Sequence, residues 1–248
     1  MPNIAKVLQA GAAGFAAAMF LAPATAGAHG IWIAERHGTQ AVIYGHGASD
    51  EAYDPQKLKT ITARDVDGTE VAVEVRRQEG HALLDVPKDA VVVSATFDNG
   101  FWTESPDGKW VNKPKTDVTD AKQTSRSQKF AVAVLDHLRK KPVPQGLPFE
   151  IVPLLDPTIL EAGNELPVLV LFDGKPAEGI PVTADYVNDS RAAPVKTDAD
   201  GIAKIRIRNA GLNVVGAGYS RPQPDSTGID KLSYFTTLTF NLDHHHHD

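Results

Sequence analysis

Nine histidines stand in a chain of 248 residues that has no cysteine, at positions 29, 37, 46, 81, 137 and 244–247. Thiolate zinc sites, iron–sulfur clusters, disulfides and thiol catalysis are excluded together, so a transition-metal site must use imidazole, carboxylate or main-chain nitrogen. His29 is the most informative by position. An apolar stretch over 7–22 follows the single charge Lys6 and is broken by Pro23. It closes on Ala24-Thr25-Ala26-Gly27-Ala28, which fits a signal peptide cleaved near Ala28. That cut leaves His29 as the first residue, with a free amine and its imidazole Nδ1 able to chelate one ion. A further histidine would complete a three-nitrogen brace suited to copper or nickel. A cut after Ala26 instead gives Gly27-Ala28-His29, which holds Cu(II) or Ni(II) in a square plane once its amides lose their protons. Either cut brings His29 to a metal-capable amino terminus.

His46 is the best internal partner. It sits in Tyr44-Gly45-His46-Gly47, just after an apolar strand, where flanking glycines leave the imidazole accessible. Pairing of 31–33 with 41–44 through a turn at His37-Gly38 would return the chain and bring His46 beside His29. A strand-end turn explains the same residues without a ligand. His37, His81 and His137 read as turn, surface or cap residues. The tail His244, His245, His246 and His247 lies between Asp243 and Asp248. It can capture divalent ions reversibly but has no fixed geometry. It reads either as an expression tag or as native, and its direct continuation from a strand favours native.

The elements that must position these groups read as β. Gly 20 and Pro 17 punctuate the chain often, which suits short strands and turns. Strands are expected over 31–33, 41–44, 70–75, 82–86 and 91–97, then over 149–153, 165–172, 180–186, 202–207, 213–219 and 233–242. Residues 130–138 fit a helix or a strand, with a short helix preferred. Lys140-Lys141-Pro142-Val143-Pro144 reads as a connector. The expected organisation is all-β: a signal peptide over 1–28, an N-terminal β domain over 29–141, a C-terminal immunoglobulin-like antiparallel sandwich over 146–243, and the His-rich tail over 244–248. One extended β domain is the competing organisation.

Other features argue against catalysis and against nucleic acid. Lys+Arg 25 against Asp+Glu 31 gives a formal charge of -6 and no field for a polyanion. Asp198-Ala199-Asp200-Gly201 lacks the remaining ligands of a calcium loop and reads as a turn. Ser125 and Ser127 have no nucleophile-elbow pattern. The aromatics of Phe97-Asp98-Asn99-Gly100-Phe101-Trp102 could wall a cleft or pack a core.

Those last residues, with Ala28-His29-Gly30-Ile31-Trp32, Tyr44-Gly45-His46-Gly47, Asp107-Gly108-Lys109-Trp110-Val111-Asn112-Lys113, Gly146-Leu147-Pro148-Phe149-Glu150-Ile151-Val152-Pro153 and Lys196-Thr197-Asp198-Ala199-Asp200-Gly201, resemble an exported bacterial family. Its members are regarded as periplasmic components of nickel and cobalt uptake systems, formerly a domain of unknown function. The resemblance spans essentially the whole mature chain and implies a periplasmic binder of Ni(II) or Co(II), with Cu(II) as a further ion, working beside a membrane transporter subunit. By residue it reaches only His29 and His46. The expectation is therefore a non-enzymatic metal-binding protein. A copper histidine-brace protein, either chaperone or oxygenase, and a structural adhesion module are the alternatives.

Overall fold

The computed structural model describes residues 29–223 and 228–242. The signal segment and the tail His244 to His247 lie outside the described residues. In chain order the strands are Gly30–Arg36 (β1), Thr39–Gly45 (β2), Leu58–Asp65 (β3), Glu70–Val71 (β4), Glu74–Gln78 (β5), His81–Asp85 (β6), Ala90–Glu104 (β7), Trp110–Val111 (β8) and Gln123–Val134 (β9). They continue as Phe149–Pro153 (β10), Glu165–Phe172 (β11), Lys175–Pro176 (β12), Pro181–Thr183 (β13), Val195–Lys196 (β14), Ile202–Arg206 (β15), Leu212–Pro222 (β16) and Lys231–Asn241 (β17). Among the described residues no helix is long and apolar enough to cross a membrane.

The all-β expectation holds, and the sandwiches are built on a shared sheet. A nine-stranded sheet runs β14-β13-β16-β17-β9-β7-β3-β4, with β8 paired to β7. Two four-stranded sheets cover its opposite faces. One has the order β1-β2-β6-β5, and the other joins β10, β11, β12 and β15. Alternation along β9 separates the two cores. Phe130, Val132 and Val134 point into the cluster that holds Phe149, Ile151, Leu166 and Phe240. Ala131 and Ala133 point into the cluster that holds Ile31, Ile33, Val42 and Tyr44. The stretches on either side of the connector are thus hydrogen-bonded to each other, because β17 runs parallel to β9 from Lys231↔Ser125 to Phe240↔Val134.

The short helix expected over 130–138 is a correction. Phe130 to Val134 continue β9. Both faces of this strand are covered, so its apolar run loses the in-and-out polarity that marks a half-buried strand, and a buried helix reads the same way. The connector expectation around residues 140–144 falls on irregular chain between β9 and β10. Glu150, only 1% exposed, accepts the backbone N–H groups of Gln145 and Leu147 there and satisfies donors that no ladder reaches.

Strand β1 is apolar from Gly30 to Ala34, all buried, because this part of it too is covered twice, and it turns polar only at Glu35 and Arg36. Ile31 and Ile33 enter one core, while Trp32 and Ala34 pack with Tyr186, Val214 and Phe235. Gly30 opens the strand where space is shortest. A Cβ there would lie 2.7 Å from Cε1 of Phe235 and 3.0 Å from Cε1 of Tyr186.

Candidate metal centre

The first hairpin brings the two sequence-selected histidines together. Its register runs from Arg36↔Thr39 at the tip to Gly30↔Gly45 at the open end, so His29 and His46 emerge side by side. Their ring centroids are 6.5 Å apart, with planes tilted by 54°. His37, in the left-handed region at φ 51, occupies the opposite tip.

The turn after β2 adds a residue that the sequence reading missed. Gly47, at φ +61, lets the chain reverse, and Glu51 N–H then donates to Tyr44 O at 2.8 Å. Ser49 Oγ accepts from His46 N–H at 2.7 Å and lies 3.0 Å from both His46 O and Glu51 Oε1, to either of which it can donate its proton. Gly45 is required here, since a Cβ at that position would sit 2.1 Å from Ser49 O. The folded-back turn places both Glu51 oxygens 3.0 Å from Nε2 of His29. In the neutral imidazole this puts the ring proton on Nε2 and leaves Nδ1 as the lone-pair nitrogen.

Aromatic rings hold both imidazoles in place. Tyr44 stacks on His29 at 5.2 Å and 16°, and on Phe97 at 5.6 Å and 21°. Burial raises the Tyr44 hydroxyl above its ordinary pKa, against a hydrogen bond with Asn99 that lowers it. Tyr186 meets His46 edge-on at 5.7 Å and donates its hydroxyl to Gly45 O at 2.9 Å. The nitrogens of His46 have only long contacts, Nδ1 to Tyr186 Oη at 3.5 Å and Nε2 to Ser190 Oγ at 3.4 Å. Such bonds are weak, so the ring nitrogens are held loosely.

Beneath the pair lies Lys129, 3% exposed, donating from Nζ to the main-chain carbonyl of His29. Burial, with the Lys57 charge second, pushes its ammonium down to about 7. On the outer side, His29 is 38% exposed and Glu51 47%. A cleft of about 630 Å³ opens beside Glu51, walled by Arg36, His37, Asp50, Arg76 and His81, so solutes reach the carboxylate.

The other candidates are accounted for by structure. His81 Nδ1 lies 3.1 Å from Glu79 O, and His137 Nδ1 lies 2.6 Å from Asp156. Asp198 accepts the N–H groups of Asp200 and Ile202 in a closed turn. The Asp98-Asn99-Gly100 motif is a β-bulge in β7, where the pairing skips Asn99. Asn112 Nδ2 satisfies the loosened Asn99 and Phe101 carbonyls, and Arg126 clamps Asp98 at 2.5 and 2.6 Å. The bulge turns Asn99 inward toward Tyr44 and Lys57, which is its link to the histidines.

Among the described residues no three His, Cys, Asp or Glu side chains converge to hold an ion.

The fold and this cluster define a class: an all-β protein of sheets layered on a shared central sheet, with a histidine pair and a carboxylate at the open end of its first hairpin. The chain belongs to the family described as Domain of unknown function (DUF4198), whose model matches residues 26–221. It is also 31% identical over 224 residues to an uncharacterized protein of Haemophilus influenzae, covering 89% of this chain and 93% of that one.

Proposed function

We propose that the mature protein is a periplasmic binder of transition-metal ions that supplies Ni(II) or Co(II) to a membrane uptake transporter, with Cu(II) as a competing ion, and that it works by binding without turnover. One observation carries this reading. Glu51 holds Nε2 of His29 and leaves free Nδ1, the nitrogen that can close a chelate ring with an amine on the same residue. Signal removal after Ala28 would create that amine. His46 would supply the third nitrogen, and a carboxylate hydrogen-bonded to a ligating histidine is the usual support of such a site. A cut after Ala26 also calls on Nδ1, so the Glu51 contact favours either start.

Nitrogen donors favour Ni(II) and Cu(II) over magnesium and calcium, which prefer oxygen. Intrinsic affinity runs highest for copper, so compartmental supply and geometry select the ion. Imidazole and amine bind only when deprotonated, so affinity falls on acidification. The His244 to His247 tail would raise the local ion concentration without forming the main site.

The test starts with protein purified untagged from the periplasm. Intact mass gives the amino terminus, and elemental analysis gives the bound ion. Titration with Ni(II) and Cu(II) then compares wild type with His46→Ala and with a form carrying one extra residue before His29. Both variants are expected to lose affinity and to change the d–d spectrum. Retention of wild-type affinity and spectrum by both sinks the assignment.

A further inference from the structure

Strand β9 carries an anomaly on the face that meets β1. On that face Lys129 is followed by Ala131 and Ala133, both 0% exposed, whose small side chains let β1 lie close. Lys129 itself is walled by the rings of Tyr44, 5.9 Å away, and Phe235, 6.0 Å away. Among the described residues no carboxylate forms an ion pair with it. A buried cation without a counter-charge destabilises a fold, and a methionine of similar reach would fill the slot without that cost. The hydrogen-bond acceptor that the ammonium reaches is the main-chain carbonyl of His29.

We infer that Lys129 is a positioning residue for the metal-binding amino terminus: its ammonium anchors the His29 carbonyl and so sets the direction in which the amine and Nδ1 of that residue face. The inference rests on the function proposed above and adds to it. Two anchors now act on one terminal residue. Glu51 fixes the ring through Nε2, and Lys129 fixes the main chain through the carbonyl. Among the described residues neither the main-chain nitrogen nor Nδ1 of His29 has a hydrogen-bond partner, and these are the two groups that would chelate the ion. A terminal residue is ordinarily free to rotate, so an ion binding there must order it. With both anchors in place that ordering precedes the ion, which raises affinity without any added ligand.

The experiment uses the untagged mature protein beginning at His29, as wild type, Lys129→Met and Lys129→Arg, with circular dichroism as the check of folding. Cu(II) is the probe, followed by competition titration and by electron paramagnetic resonance. In metal-free protein, release of His29 by an aminopeptidase is followed by intact mass. Lys129→Met is expected to weaken Cu(II) binding about ten-fold, the equivalent of ordering roughly one residue. It should also shift the copper signal and speed the loss of His29. Lys129→Arg, which keeps a donor for the carbonyl, is expected to recover part of the affinity and the wild-type signal. Should the methionine variant not fold, Lys129→Gln, uncharged and shorter, takes its place. A folded variant with wild-type affinity, signal and trimming rate overturns the inference and leaves the proposed function standing. Failure of wild type to bind Cu(II) or Ni(II) overturns the function itself and the inference with it.

Discussion

Replacing Lys129 by methionine should make the protein more stable, contrary to the usual effect of altering a buried residue. Burial first, and the Lys57 charge second, pull the ammonium from its ordinary 10.5 to about 7. A displacement of that size corresponds to about 5 kcal/mol of cost at neutral pH. Methionine removes the cost but leaves the His29 carbonyl without its donor, a loss of about 1–3 kcal/mol. The expected net gain is about 2–4 kcal/mol, or roughly 4–16 °C in Tm for a chain of this size. The pH dependence supplies an independent sign. With its pKa lowered in the folded state, Lys129 binds a proton more readily when the chain is unfolded, between about 7 and its ordinary 10.5. Raising the pH through that window removes the advantage of the unfolded state, so wild-type stability climbs, by up to about 1.4 kcal/mol per pH step. Tyr44, Tyr53 and Tyr186 are all raised by burial and work in the opposite sense at higher pH, so the scan should stop near 9. Urea unfolding at pH 7, 8 and 9 is the assay. A methionine variant less stable than wild type at pH 7, or one with the same slope, would refute the reasoning.

Glu51→Gln removes the charge that pairs with His29 and should weaken Ni(II) binding about 10–100-fold, read by calorimetric titration, while Tm stays within a degree or two. Gly30→Ala drives a methyl against the rings of Phe235 and Tyr186; a loss of about 1–3 kcal/mol is expected in chemical unfolding, and an unchanged midpoint would mean that β1 shifts freely. Deleting residues 243–248 should reduce the amount of loosely held metal measured after brief dialysis, yet preserve the tightest ion. Loss of all stoichiometric binding would relocate the main site to the tail.

The hairpin was legible because its cues are local. Gly38 marks the turn, the flanking strands are apolar, and antiparallel return then sets His29 beside His46 with no further information. Glu51 was not legible, since its approach depends on a reversal at Gly45 to Ser49 that reads from the sequence only as a loop. Lys129 follows the polar run Gln123-Thr124-Ser125-Arg126-Ser127-Gln128, which carries no local cue to burial. Its burial follows from β17 and β1 closing over β9, contacts that span a hundred positions or more. The segment over 130–138 misled for a related reason: a strand covered on both faces loses the alternation by which strands are recognised. The Asp98-Asn99-Gly100 motif was visible, but its role as a bulge depends on the register between β7 and β9.

The parallel ladder between β9 and β17 has a consequence for how the chain reaches its folded state. Ser125 pairs with Lys231, and Thr237 Oγ1 donates to Ile31 O across 206 positions. A strand near the middle of the sequence therefore waits for the last strand before its second edge is occupied. Until then β9 presents an open row of backbone donors and acceptors, the kind of edge that recruits other chains. Folding of so non-local a topology is expected in the millisecond-to-second range. A chain ending before residue 231 should aggregate on refolding even though every residue of the first hairpin is present, and light scattering during refolding of such a truncation would measure it.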